Sequence, residues 1–323
     1  MTRRRALITG GGGFVGQWMT RALLERGDEV TLAGIGGAIS GPSVLTRAEL
    51  AGVRWQRTDI RDTDDIRAAV DVSTPDQVIH LAGVAYPPDS DRAPATAYDV
   101  NTTGAVRLLT ELASRRSSGT LDPSVLVIGT GMQYGRHEAA EMPLTEQADM
   151  RPTTPYAASK AAQELASLQI ARASGLRVVC TRSFNHSGVG HGHAYLLPSL
   201  VRRTLALRGQ AAPRRLALGN DVVRDYLHVA DVVRAYLLLL DQGERGQVYN
   251  VASGRGVSVR ELATSVLERA GVEADITTES SLVRPLDIPV LTGSPARLMA
   301  ATGWTVARSH VDIIDDLLDA QAR

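Results

Sequence analysis

Residues 5–16 read Arg5-Ala6-Leu7-Ile8-Thr9-Gly10-Gly11-Gly12-Gly13-Phe14-Val15-Gly16. A short apolar run enters a glycine cluster, and Phe14, Val15, Trp18, Met19, Ala22, Leu23 and Leu24 then follow at helical spacing up to Gly27. That pattern predicts a strand, a tight turn and a helix. Glycines at 10, 13 and 16 let the backbone turn sharply and come close to an anion, which the amides and positive dipole of a helix start would hold. Gly10, Gly13, Phe14, Val15 and Gly16 are therefore candidate contacts to the pyrophosphate of a dinucleotide. Four consecutive glycines also suit a flexible turn, and the alternation downstream decides between the two.

Working outward, strands are predicted at 29–33, 53–57, 77–82, 124–130 and 176–181, with helices at about 62–72, 95–116 and 155–174. Strands separated by helices of this length require crossovers, and right-handed crossovers cover both faces of a parallel sheet. The expected architecture is α/β, a doubly wound parallel (Rossmann) sheet with a smaller interleaved C-terminal domain. From about Arg182 the rhythm loosens into a loop rich in glycine and histidine at 186–193 and helices at 195–208 and 228–241. A strand at 247–251 follows, then helices at 258–270 and 309–321. Residues 1–181 plus about 221–251 are assigned to the dinucleotide domain, and 182–220 plus 252–323 to the substrate domain.

The 323 residues are 44% apolar and 22% charged, which is the composition of a globular chain with a sizeable core. Basic and acidic residues are equal at 35 each, so no global field draws the chain to nucleic acid or to an anionic membrane. Arg3, Arg4 and Arg5 precede only Ala6-Leu7-Ile8, too short for a leader core or a membrane span. Cys180 is the single cysteine, expected to be a buried, inert thiol in its strand, and neither disulfide nor zinc array is available. The expectation is a cytoplasmic protein without bound metal.

Lys160 is the only lysine, so 34 of the 35 basic residues are arginine. Its sequence context is Tyr156-Ala157-Ala158-Ser159-Lys160, in the first turn of a helix that Pro155 opens. Spacing i, i+4 places phenol and ammonium on one helix face, and the cation is expected to lower the Tyr156 pKa toward neutrality. An ammonium, whose pKa its surroundings can tune, does what arginine cannot. Thr130 ends the apolar run from Ser124, at the carboxyl edge where open parallel sheets bind ligands, and its hydroxyl is placed to polarise a carbonyl.

The glycine turn, Thr130 and the Tyr156/Lys160 pair, in this order, resemble the extended short-chain dehydrogenase/reductase (NAD-dependent epimerase/dehydratase) family over essentially the whole chain. The resemblance implies a nucleotide-sugar enzyme with Thr130, Tyr156 and Lys160 as catalytic triad. Thr130 and Tyr156 would contact the sugar oxygen, and Lys160 the nicotinamide ribose. It further implies adenine contacts from Asp59 and Ile60, a cofactor edge at Leu81, Ala82 and Gly83, a central-helix asparagine in Asn101, and a homodimer packed through the helices at 95–116 and 155–174.

Within the family, Arg182-Ser183-Phe184-Asn185-His186, Leu218-Gly219-Asn220, Arg224-Asp225-Tyr226, Asn250, and Arg284-Pro285-Leu286-Asp287 resemble the group that contains the GDP-mannose 4,6-dehydratases and GDP-4-keto-6-deoxy-D-mannose reductases. By that resemblance Asn185 faces the sugar phosphate, Arg224 and Arg284 pair with the diphosphate, and Asp287 takes the nucleotide ribose. Dehydration needs an extra acid or base just after the threonine, where this chain has Gly131, Met132 and Gln133. Unless Glu138, Glu141 or His186 substitutes, reduction at C4 of a GDP-4-keto-6-deoxyhexose is the expected reaction, with Tyr156 as proton donor. A 4-epimerase that retains its NAD is the alternative. The second strand runs into Gly34-Ile35, with neither the acid that selects NAD nor an arginine that selects NADP, so the choice between NAD and NADP stays open.

Overall fold

The computed structural model describes residues 3–36, 39, 43–283 and 287–322. Its strands, in chain order, are β1 (Arg5–Thr9), β2 (Glu29–Gly34), β3 (Val53–Arg57), β4 (Gln77–His80), β5 (Ser124–Thr130), β6 (Arg177–Ser183), β7 (Asn185–Ser187), β8 (Arg215–Leu218), β9 (Val223–His228), β10 (Val248–Val251), β11 (Gly256–Ser258), β12 (Asp275–Thr278) and β13 (Val290–Leu291). Seven of them form one parallel sheet in the order β10-β6-β5-β4-β1-β2-β3. Successive strands run outward from β1 in both directions, so the crevice beyond the carboxyl ends of β1 and β4 is the topological switch point where such sheets bind ligands.

Both faces are covered, as strands buried on two sides require. Met19 and Leu23 of helix Phe14–Glu25 and Val232, Tyr236 and Leu239 of helix Val229–Gln242 pack on one face. Ile66, Val70, Leu108, Leu112 and Leu168 from helices Thr63–Ser73, Gly104–Ser117 and Pro155–Ser174 pack on the other. A third cluster, including Leu200, Leu262, Val266 and Ile313, builds the C-terminal part around two small sheets, one of β7, β9, β11 and β13 and one of β8 and β12. No helix among the described residues is long and apolar enough to cross a membrane.

The helix expected at 95–116 is interrupted. Pro94–Tyr98 is α-helical, Asp99–Thr103 is a π turn, and Gly104–Ser117 resumes the α-helix. The wider turn carries the buried Asn101, and such bulges recur at functional sites. Strand β4 ends at His80, two residues before the expected limit, although the Leu81 amide still donates to the Thr9 carbonyl at 3.0 Å and Ala82 packs on the glycine turn.

Candidate active site

The glycine turn is packed against neighbouring backbone too closely for side chains. Gly10 has φ +71°, and a Cβ there would lie 2.7 Å from the Ala82 nitrogen. At Gly16 an added Cβ would lie 2.5 Å from the Gly11 carbonyl oxygen. Helix Phe14–Glu25 starts from Gly13 with no side-chain cap, so its first amides face the turn unblocked by a capping side chain. These residues fit the diphosphate of a dinucleotide.

Leu81, Ala82 and Gly83 lie against that turn. A Cβ on Gly83 would be 2.8 Å from Asn101 Oδ1, so glycine lets the asparagine approach, and Lys160 Nζ lies 3.5 Å from the same position. Asn101 accepts from the Val84 amide at 2.7 Å and donates to Ser159 Oγ at 2.9 Å. Ser159 Oγ in turn donates to the Tyr156 carbonyl at 2.8 Å. The asparagine thus ties the loop after β4 to the helix that bears Tyr156 and Lys160.

Helix Pro155–Ser174 begins with Pro155 in its first turn and Thr154 accepting the Ala157 amide. Tyr156 and Lys160 fall on its sheet-facing side. Thr130 closes β5 and caps the 3-10 turn Gly131–Tyr134, accepting from the Met132 amide at 3.3 Å. The three sequence-predicted catalytic residues therefore converge at the carboxyl edge of the sheet.

The expected lowering of the Tyr156 pKa is not found. Burial pushes Tyr156 up to about 12, with the Thr130 hydroxyl pulling the other way and Tyr195 adding to the rise. Lys160 directs its charge elsewhere, donating to the Ile128 carbonyl at 2.7 Å and to Gln163 Oε1 at 2.8 Å. Its own pKa is pushed down to about 7 by burial. Cys180, buried below, is pushed up by the same desolvation.

At the outer edge Asp59 is gripped by the Arg61 guanidinium at 2.6 Å and lowered to about 2, while Ile60 is buried beneath Gly104. Across the crevice Arg224 pairs with Asp287 at 2.9 Å and donates to the Ile288 carbonyl at 2.7 Å. Asn220 reaches Asp287 at 3.4 Å. Arg224 and Asp287, assigned separately to diphosphate and ribose, are thus brought together. Asn185 is exposed on β7, in register with Tyr226 on β9. Arg284 lies outside the described residues. Glu141 is engaged with His137 at 3.0 Å and with the Glu138 amide at 2.7 Å, and His186 Nδ1 donates to the Phe184 carbonyl at 2.9 Å.

Sequence reasoning named Phe14 and Arg182 without their partners, and it missed Tyr86, Glu164 and Arg57. Phe14, His191 and Tyr195 stack at 4.4 and 4.1 Å, and Tyr86 meets Tyr195 edge-on at 5.6 Å, making an aromatic wall beside Tyr156. A buried ion pair of Glu164 and Arg182 at 2.7 Å underlies Thr130 through Gln133, whose Nε2 donates to Glu164 and whose Oε1 accepts the Thr130 amide, both at 2.8 Å. Arg57 on β3 stands in register opposite Gly34, the end of β2, next to the exposed Ile35. Helical spacing from Lys160 would have drawn attention to Gln163 and Glu164; β-strand register was needed for Arg57.

A glycine-turned phosphate cradle joined to a Tyr-Lys pair at the switch point of a parallel sheet defines a dinucleotide-dependent class of protein. The model of the NAD dependent epimerase/dehydratase family matches residues 6–252, and the chain belongs to that family. It is 39% identical over 247 residues to GDP-6-deoxy-D-mannose reductase of Pseudomonas aeruginosa, covering 75% of this chain and 80% of that protein. The structure of RMD from Pseudomonas aeruginosa complexed with NADPH superposes with a TM-score of 0.81 at 33% identity, covering 98% of both chains. UDP-glucose 4-epimerase of Thermus thermophilus, solved in complex with NAD, gives a TM-score of 0.82 at 31% identity, again over 98% of both.

Proposed function

We propose that this chain is an NAD(P)-dependent reductase acting at C4 of a GDP-linked 4-keto-6-deoxyhexose. The observation that carries the reading is the convergence of Thr130, Tyr156 and Lys160 beside Gly83 and the glycine turn, with no carboxylate at positions 131–133. These residues would hold a reduced nicotinamide, which when bound would supply the hydride. Tyr156, kept in its neutral form by burial, gives its proton to the oxygen at C4, and the Thr130 hydroxyl shares that oxygen. Burial keeps the Tyr156 phenol protonated, the form from which it can donate. Lys160 orients the cofactor ribose, and Arg224 with Asp287 receives the diphosphate and ribose of the sugar nucleotide.

Positions 131–133 offer dehydration no proton carrier: Gly131 is packed on the Phe184 ring and Gln133 is committed to Glu164. NADPH is the favoured reductant: β2 ends without a carboxylate of its own, and Arg57, which pairs with Asp65 at 3.0 Å, stands opposite its last residue. A homodimer in the cytoplasm belongs to the same proposal, supported by Leu165, 57% exposed on helix Pro155–Ser174, and by the free, buried Cys180.

The test is to mix the protein with GDP-4-keto-6-deoxy-D-mannose and NADPH or NADH and to follow loss of reduced-nicotinamide absorbance. Consumption with a GDP-6-deoxyhexose product supports the reading. No consumption, together with nucleotide that survives gel filtration, would replace it with a 4-epimerase.

A further inference from the structure

Lys160 is used by the proposed reaction, but the residue that holds it is unexplained. Gln163 lies one turn further along helix Pro155–Ser174, fully buried, with its Oε1 accepting from Lys160 Nζ at 2.8 Å. The Nε2 of the same amide is buried and has no partner. An unpaired buried donor is costly, and a leucine or methionine of similar size would avoid that cost. The bond from the ammonium is what the amide contributes in return.

An ammonium has three donors. The Ile128 carbonyl takes one at 2.7 Å and Gln163 takes a second, which sets the direction of the third. Nζ lies 3.5 Å from where a Cβ on Gly83 would sit, at the edge of the loop that follows β4. We infer that Gln163 is a positioning residue for Lys160: its amide oxygen, with the Ile128 carbonyl, keeps the buried ammonium charged and aims its remaining donor at the cofactor edge.

The other titratable groups facing Lys160 cannot take this part. His80 on β4 is neutral, pushed down to about 3 by burial and by Lys160 itself. Cys180 on β6 stays a thiol, and Tyr156 on the same helix stays a phenol. Burial drives Lys160 toward its neutral form, so an acceptor that binds the charged form opposes the main pressure on it.

This inference rests on the reading of Lys160 as the cofactor and phenol lysine. Because Lys160 is the only lysine, protein grown on lysine labelled at Cε and Nζ gives one side-chain resonance that needs no assignment, provided the tag is lysine-free. Its titration is measured in the wild type, Gln163→Leu and Gln163→Glu, without cofactor and with NADPH. The midpoint should fall by about one unit in Gln163→Leu, the loss of one hydrogen bond to a charged group. It should rise by about one unit or more in Gln163→Glu, where a carboxylate replaces the amide. The pH profile of kcat/KM should move in the same directions. If Gln163→Leu does not fold, Gln163→Glu and Gln163→Met carry the test. A resonance whose midpoint is unmoved in the variants that fold overturns the positioning role, whatever the activity. Wild-type turnover in Lys160→Met would instead overturn the reading on which it rests.

Discussion

Replacing Glu164 by glutamine removes one negative charge from beneath the site and leaves the shape unchanged. The Glu164 carboxylate accepts from Arg182 Nε at 2.9 Å, Arg182 Nη2 at 2.7 Å and Gln133 Nε2 at 2.8 Å. The Arg182 and Glu164 side chains are only 6% and 4% exposed. The same pair on the surface would contribute about 0.2–1 kcal/mol. Burial changes the magnitude, because the guanidinium stays charged when its partner is gone, and breaking such a pair costs about 3–5 kcal/mol. Burial works to lower the Arg182 pKa, but Glu164 outweighs it and the net shift is upward, so the charge is firmly present. Urea unfolding followed by circular dichroism should show that loss in Glu164→Gln and in Glu164→Leu. The double variant Glu164→Leu/Arg182→Met, with both charges replaced by apolar groups, should recover much of it. A loss under about 1 kcal/mol in Glu164→Gln, or additive losses in the double variant, would refute the argument.

Two further outcomes follow from single residues. Arg57→Ala should lower the preference for NADPH over NADH by about tenfold, the loss of one charge-assisted contact, and the ratio of kcat/KM values for the two cofactors measures it. An unchanged ratio would exclude Arg57 from the 2'-phosphate site. Asp225 is pushed up to about 6 by burial, despite accepting from the Ser253 and Gly254 amides at 2.7 and 2.9 Å. The folded state then binds more protons than the unfolded state between the ordinary Asp value and about 6, so stability falls as pH rises through that window. Asp225→Asn removes the titration, and its stability relative to the wild type should increase from pH 5 to pH 7; a constant difference would contradict the assignment.

The seven-stranded sheet was legible because its signals are local. The glycine cluster after Ile8, the helical spacing from Phe14 to Leu24 and the capped start at Pro155 each act within a few residues. The short strands β7, β8, β11 and β13, of two to four residues, were not, because they carry too few positions to alternate and are held by partners distant in sequence. The π turn at Asp99–Thr103 escaped because its residues fit a regular helix equally well. At the site, the placement of Thr130, Tyr156 and Lys160 followed from strand end and helix spacing, while the direction of the Tyr156 shift was misjudged. Spacing i, i+4 placed phenol and ammonium near one another; it could not show that Ile128 and Gln163 take two of the lysine's donors. The Glu164 and Arg182 pair joins a helix to a strand, and only the packed structure brings them together.

Tyr156 is the proposed proton donor in a nicotinamide-dependent reduction. The most direct measurement is the rate of NADPH consumption on GDP-4-keto-6-deoxy-D-mannose by the wild type and by Tyr156→Phe, with folding of the variant checked by circular dichroism. Turnover is expected in the wild type, with a fall of about 10²–10⁴-fold in kcat for the folded variant, the usual contribution of a positioned general acid. Equal turnover in the two proteins would contradict that role for Tyr156.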